Sequence, residues 1–214
     1  SIRVVRCIQN VGKAAALNKA LESGLKGEYI MTLDADSVLH PNAIENAVEY
    51  FLEDPNVAGV AANVRVIDSM SILGLLQKFE YMVGYRSKKF YTVSNCEFII
   101  GGVASTYRYS TLKEVGFYDD DVQTEDIALS LKVASLGNRK HKLVYGYDVI
   151  AMTEGVQTFK ALLRQRYRWK LGSLQSLFKH KSLFMNIGRR YNPSLTWYRI
   201  PMAFMGELIV LTEP

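Results

Sequence analysis

Cysteine, histidine and proline are all scarce in this chain of 214 residues, which has two, three and five of them. Cys7 lies in an apolar, strand-like run and Cys96 stands beside Glu97, with no CxxC pair and no partner spacing. That excludes a disulfide framework and suits reduced, structural thiols in a cytosolic setting. His40, His141 and His180 lack ligand spacing, so no zinc site is expected. His40, just before Pro41, is expected to cap a helix. No uninterrupted apolar stretch reaches the roughly 20 residues that span a bilayer. There is no initiator Met and no signal peptide. The first residues already read as a strand in mid-fold, so the chain is expected to be a piece of something longer. It also lacks repeats and any Pro/Gly/Ser-rich linker. With 49% apolar residues it should form one globular body with a real core.

Acid is missing from one region. Residues 155–206 carry ten Lys/Arg and no Asp or Glu, whereas residues 1–154 carry 16 Lys/Arg against 19 Asp/Glu. The net charge of +5 is therefore local. Such a block suits nucleic acid, anionic lipid or the phosphates of a small substrate. Its densest part is RQRYRW, Arg164 to Trp169. Beyond it, Trp197, Tyr198 and Arg199 are interface-type anchors, followed by MAFMGELIVLT, which Glu207 interrupts. A buried terminal helix and a membrane-surface helix both fit that segment.

Periodicity predicts strands over Ile2–Ile8, Glu28–Leu33, Val57–Ile67 and Phe98–Tyr109, with two short β-rich runs at Lys142–Tyr145 and Asp148–Met152. Helices are expected over Gly12–Leu25, from Pro41 to Glu53, over Ile72–Tyr91 and Ile127–Leu136, and from Thr158 to His180. Alternating strands and helices imply an α/β fold whose mostly parallel sheet is covered on both faces. Ligands of such sheets bind beyond the carboxyl ends of the strands.

Two carboxylate motifs stand at such places. Asp34 and Asp36 end the strand YIMTL, and in extended chain their side chains would share one face. Paired carboxylates call for a hard divalent cation, although strand-end Asp residues also cap turns. Thr124, Glu125 and Asp126 open the helix carrying Ile127, Leu131 and Ala134, where a Thr cap and first-turn acids stabilise a helix in any case. A base placed there must overcome the helix N-terminus, which lowers basicity; burial beside Glu125 would restore it. Asp119–Asp121 is an acidic cluster in a turn-like setting and is expected to be a solvated loop.

In the last long helix, 100° per residue gathers Leu163, Tyr167, Leu171, Leu174 and Phe178 into an apolar stripe and puts Gln165, Arg168, Trp169 and Gly172 opposite. Arg168 offers a fork for phosphate oxygens, Gln165 a further donor and Trp169 a ring on which a sugar can stack. A metal site, an arginine-bearing helix and a separate carboxylate are the parts needed to displace a nucleoside diphosphate from a sugar.

The motifs DAD at 34–36, TED at 124–126 and QRYRW at 165–169, in this order, resemble those of the inverting family 2 glycosyltransferases, and within them the membrane-embedded cellulose, hyaluronan and poly-N-acetylglucosamine synthases. NVGKAAALN (Asn10–Asn18) is similar to the family's Gly-Lys-Ala segment, and FIIGGVASTYR (Phe98–Arg108) to the strand and loop that line its acceptor site. The resemblance covers roughly Arg3 to Lys181. It implies a GT-A-like fold, incomplete at the N-terminus, with a catalytic domain over 1–181 and a basic, amphipathic segment over 182–214 leading toward a membrane region. It further implies that Asp34 and Asp36 hold Mg²⁺ or Mn²⁺, that Asp34 and Lys13 meet the nucleotide sugar, and that Asp126 is the general base. Glu125, Gly101 and Gly102 would shape the acceptor pocket, Gln165 and Arg168 would hold the diphosphate, and Trp169 would border the acceptor sugar. The implied partners are a nucleotide-sugar donor, expected to be UDP-linked, and a saccharide or lipid-linked acceptor. The implied location is the cytoplasmic face of the cell membrane, in a multi-pass full-length protein. The family's first strand and uracil-binding Asp have no counterpart, so this piece is expected to bind nucleotide poorly and to be inactive alone. Arg108 is followed by Tyr109 where relatives often have a second arginine.

Two rivals come from other classes. A basic nucleic-acid-binding module would use RQRYRW and KHK, yet Tyr167 and Trp169 fall on different helix faces, which does not suit a groove of phosphate contacts and stacking rings. No nucleic-acid partner is therefore expected. A catalytically inactive membrane-associated scaffold would keep the fold without the reaction. A nucleotidyltransferase would have no use for a TED-type base.

Overall fold

The computed structural model describes residues 3–67 and 71–212. Five strands, β1 (Tyr29–Thr32), β2 (Ser37–Leu39), β3 (Val57–Val66), β4 (Ser105–Arg108) and β5 (Lys142–Thr153), form one sheet in the order β1-β4-β3-β5-β2. Seven helices accompany it: α1 (Lys13–Glu22), α2 (Ala43–Glu53), α3 (Ile72–Val93), α4 (Tyr109–Val115), α5 (Glu125–Ser135), α6 (Phe159–Lys179) and α7 (Ile200–Thr212). The α/β class expected from periodicity is the class found.

The sheet is mixed, which corrects its expected mostly parallel character. β1, β3 and β5 run in one sense, but only β3 and β5 pair in parallel. The reason is β4: α3 and the loop after it return the chain in the opposite sense, and β4 enters between β1 and β3 with antiparallel ladders to both. β2 pairs antiparallel with β5 at the far edge. Four steps of about 4.8 Å would put the edges of a flat sheet roughly 19 Å apart. β1 and β2 lie on opposite edges, yet Thr32 and Ser37 are joined by a link that reaches at most about 17 Å when extended. A turn closed by the Ser37 N–H to Asp34 carbonyl bond of 3.1 Å shortens that link further. The sheet must curl, and the DAD segment bridges its open ends.

β3 is the centre because VAGVAANVRV is small and β-branched, which suits burial on both faces. At Gly59 a Cβ would lie 2.8 Å from the Tyr107 ring, so only glycine lets that ring cover the strand. One core cluster joins Leu21, Ala61, Tyr107, Leu129 and Val133; a second joins Ala47, Phe51, Val60 and Val149. A third packs Leu183, Tyr191, Leu195 and Ile200 against Cys96, Phe98, Leu131 and Leu177, so part of the C-terminal segment shares a core with α5 and α6.

Other expectations change for physical reasons. The two β-rich runs near residue 146 are one strand: β3 pairs Ala62 with Gly146 and Asn63 with Ile150, leaving a bulge between them. Residues 3–8 form no strand, and Val4 and Ile8 are 85% and 97% exposed; Ile2 lies outside the described residues. A β-rich run needs a neighbour to take its backbone hydrogen bonds, and no described strand supplies one. Of Phe98–Tyr109 only Ser105–Arg108 is strand, because Gly101 and Ala104 take φ of 46° and 52°, which breaks the extended conformation. His40 is not the cap of α2: the N-cap is Asn42, and the His40 Nδ1 accepts the N–H of that residue at 3.4 Å, outside the helix.

Arg108 is a structural residue. Its guanidinium donates to the carbonyls of Val57 and Phe51, both at 2.7 Å, and stacks against the rings of Tyr29 and Phe51. Tyr109 sends its hydroxyl to the Leu21 carbonyl at 2.8 Å. Arg108→Ala would leave two carbonyls without donors, and its urea midpoint should show a loss of about 2–4 kcal/mol.

Candidate active site

The segments NVGK, DAD and TED meet at one point. Gly12, at φ 79°, turns the chain into α1 and starts Lys13 toward the open ends of the sheet. The Lys13 ammonium lies 2.7 Å from Asp34 Oδ1 and 3.2 Å from Glu125 Oε1. Gly102 closes the group: a Cβ there would be 3.3 Å from Asp126 Oδ2 and 3.5 Å from Lys13 Nζ. Burial would lower the Lys13 pKa, but the hydrogen bond to Asp34 and the charge of Glu125 more than offset it, and the pKa is raised. Lys13, Asp34, Glu125, Asp126 and Gly102 therefore form one cluster.

Asp126 shows which of two opposed effects wins. The helix start favours the carboxylate, and the Ile127 N–H donates to Asp126 Oδ1 at 2.9 Å. Burial, followed by the negative charge of Glu125, outweighs that donor and the Lys13 charge, and the Asp126 pKa rises to about 6. Such a carboxyl can hold and release a proton near neutrality. The Thr124 hydroxyl makes no cap bond and is buried without a partner, so capping does not explain TED.

Asp34 and Asp36 are arranged otherwise than in extended chain. β1 ends at Thr32, and the turn at Asp34–Ser37 gives the two carboxylates separate partners. Asp36 Oδ1 accepts the hydroxyls of Ser37 at 3.0 Å and Thr153 at 3.5 Å. Among the described residues no group of three or more His, Cys, Asp or Glu surrounds one point. A divalent ion here would take carboxylate oxygen from Asp34 and Asp36 and its other ligands from a diphosphate and water, the habit of Mg²⁺. Lys13 now holds Asp34 Oδ1 at 2.7 Å, so a divalent ion would have to displace that ammonium or use the other carboxylate oxygen.

The helix α6 is turned opposite to what its apolar stripe predicts. Leu163, Tyr167 and Phe178 are 55%, 65% and 59% exposed, whereas Gly172, Ser173, Ser176 and Leu177 are buried and Gln165 and Trp169 partly so. The polar face packs inward because Gly172 admits Thr124: a Cβ on Gly172 would lie 2.3 Å from Thr124 Oγ1. The α5 start and α6 thus touch, and Leu174 alone of the stripe is buried. Arg166 stacks on Trp169 at 4.2 Å, donates to Gln165 Oε1 at 2.8 Å and pairs with Glu80 at 2.6 Å. The Tyr81 hydroxyl has its pKa raised chiefly by burial, and the charges of Arg166, Glu80 and Asp36 act on it. Arg168 is exposed and stands apart from that cluster. The Asp119–Asp121 cluster is engaged rather than simply solvated, since Lys179 binds Asp119 and Asp121 at 2.8 and 2.7 Å and Lys132 binds Asp119 at 2.8 Å.

Several residues of the pocket had no signal of their own. The Thr32 hydroxyl reaches Gly102 O at 3.3 Å and Ser105 Oγ at 2.7 Å, and Ser130 Oγ accepts the Ile100 N–H at 3.0 Å while donating to Asp126 O at 2.8 Å. Asn18 holds the Tyr118 backbone through two bonds of 2.8 and 2.9 Å, and Tyr118, its hydroxyl pushed up to about 12 chiefly by burial, lies within the field of Asp126 and Glu125. Asn18 and Thr32 sat in quoted segments, whereas Ser130 and Tyr118 did not.

Residues 29–212 match the family model described as glycosyl transferase family group 2. The chain belongs to that family. It is 31% identical over 212 residues to the poly-β-1,6-N-acetyl-D-glucosamine synthase of Staphylococcus epidermidis, covering 94% of this chain and 50% of that protein. The synthase of the same name in Staphylococcus aureus strain N315 is 31% identical, with 92% and 49% covered. The chain spans about half the length of these relatives. Among solved structures, a mannosyltransferase from Pyrobaculum calidifontis in complex with GDP-Man and Mn²⁺ superimposes with a TM-score of 0.63 over 95% of this chain and 55% of its own, at 18% identity. This glycosyltransferase chain thus has the GT-A-like fold that its motifs imply.

Proposed function

We propose that this chain is the catalytic domain of a metal-dependent, inverting glycosyltransferase that moves an amino sugar from a UDP-sugar to a growing saccharide. The observation carrying this is the convergence of Lys13, Asp34 and Glu125 through contacts of 2.7 and 3.2 Å beside Asp126. Asp126, with its raised pKa, takes the proton from the acceptor hydroxyl as that oxygen attacks the anomeric carbon. Attack opposite the leaving nucleoside diphosphate inverts the centre. Lys13 and Asp34 face the diphosphate, and Gln165, Arg166 and Trp169 form the wall supplied by α6, with Arg168 on its flank. Mg²⁺ or Mn²⁺, when held by Asp34 and Asp36, supplies charge to stabilise the departing diphosphate. Gly101 and Gly102 leave room for the acceptor beside Asp126. The amino-sugar donor and the polymeric product rest on the names of the relatives at 31% identity.

A membrane-bound full-length protein, with this domain on the cytoplasmic face, is the setting we infer. Its support is the uncovered apolar side of α6 and α3, where Leu163, Tyr167, Leu76 and Phe79 are 55–65% exposed. No helix among the described residues is long and apolar enough to cross a membrane. The test incubates the full-length protein in membranes with a panel of UDP-sugars and Mn²⁺ or Mg²⁺. UDP-N-acetylglucosamine should be consumed with release of UDP, and a chelator should stop it. Release of pyrophosphate, or no consumption of any donor, would sink the proposal.

A further inference from the structure

Behind the acceptor loop lies a charged group that the reaction above does not use. The Glu97 side chain is wholly buried, and its Oε1 accepts the N–H groups of Phe98 at 2.9 Å and Ile99 at 2.8 Å. Lys88, from α3, stands 3.5 Å from the same oxygen and donates to the Ile99 carbonyl. Arg199, the last residue of the π-helical segment Ser194–Arg199 that runs into α7, lies over the rings of Tyr91 and Phe98 at 4.0 and 4.9 Å. Burying such charges is costly unless they are paired and hydrogen-bonded, and here those bonds pin the backbone of Phe98 and Ile99. What they hold is strained: Asn95, Gly101 and Ala104 all have positive φ, and a non-glycine residue there costs about 1–3 kcal/mol. The held backbone continues directly into the loop that abuts Asp126. Ile100 N–H is fixed on Ser130 Oγ, itself bonded to Asp126 O, and Gly102 faces the Asp126 carboxyl.

We infer that Glu97 and Lys88 are positioning residues for the acceptor: the pair fixes the backbone of Phe98 and Ile99 and thereby sets Gly101 and Gly102 against Asp126. Arg199, from the C-terminal segment, packs on the Phe98 ring of the same backbone. The inference rests on the proposed transfer reaction for its kinetic consequence, but its structural part is independent.

The experiment compares full-length wild type, Glu97→Gln, Lys88→Met and the double variant in membranes. In each single variant transfer to the saccharide should fall about tenfold or more while the donor KM stays within about twofold, because a misplaced acceptor affects the attack and not nucleotide binding. The double variant should lose at least as much as either single variant, because Lys88→Met also removes the donor to the Ile99 carbonyl; a double variant restored to wild-type transfer would overturn the inference. Equal losses in donor and acceptor parameters, or no loss, would overturn the inference. Hydrogen exchange reads the same proteins without any activity: amides 98–102 should exchange about tenfold faster in Glu97→Gln while those of Leu129–Val133 keep their protection. Unchanged loop exchange refutes the positioning role even if no donor is consumed, and faster loop exchange with an inactive wild type would instead indict the proposed reaction.

Discussion

Asp126→Asn should leave nucleotide-sugar binding in place and lower transfer by about a hundredfold to ten-thousandfold, the usual contribution of a general base. The amide keeps the shape of the carboxyl and its bond from Ile127, so the loss isolates proton transfer. In the wild type the base must be ionised, so transfer should rise with pH through about 6, the value to which burial and Glu125 push this group. Stability should move the other way. Above the ordinary value of 3.8 the folded chain holds this proton more tightly than the unfolded chain does. Folding therefore loses stability as pH climbs from about 4 to about 6, and the deficit persists above that. Asp126→Asn removes it and should raise the melting temperature at about pH 7.5 by a few degrees, on the order of 1–2 kcal/mol. An inactive variant of unchanged or lower stability would deny the strained environment assigned here; a fully active one would remove Asp126 from the chemistry.

Gly172→Ala should be damaging in spite of helix propensity. Alanine is favoured over glycine inside a helix by about 1 kcal/mol. Here, however, the new methyl would sit 2.3, 2.6 and 2.8 Å from Oγ1, Cγ2 and Cβ of Thr124. Neither side can yield easily: Thr124 is 5% exposed and its neighbour Ser173 is 4% exposed. Such overpacking costs about 1–3 kcal/mol net, and relief requires α6 to move away from the α5 start. Gln165, Arg166 and Trp169 ride on that helix, so transfer should fall by about tenfold or more, read as kcat in membranes. Thr124→Gly clears all three contacts at a position where glycine costs a cap only a few tenths of a kcal/mol. The double variant should regain stability and activity together. Failure to regain either would mean that Gly172 matters for some reason other than the approach of Thr124.

Much of the site could be read before the fold was seen, because its chemistry depends on residue type. DAD, TED and the Lys13 segment each carry side chains whose charge alone suggests a cation, a base and an anion-binding group, and they do converge. The contacts of Arg166 with Gln165 and Trp169 were hidden because amphipathic periodicity assigns the apolar stripe of α6 to the core, while the close packing of Gly172 on Thr124 turns the helix the other way. Thr32, Ser130 and Tyr118 could not be found at all: a hydroxyl in a strand or helix acquires its role only from what lies across a 2.7–3.3 Å gap. Strand sense was equally hidden. A β-rich run reads the same in either direction, and only the antiparallel entry of β4 between β1 and β3 makes the sheet mixed.

Periodicity was enough for the α/β class, since alternation of burial sets the elements, and the order of the motifs pointed to a glycosyltransferase through their resemblance to a known family. The proton affinity of Asp126, the orientation of α6 and the buried clamp at Glu97 were decided by tertiary structure alone. Each depends on desolvation or on contact between segments far apart in the chain, and neither quantity exists until the chain has closed around them.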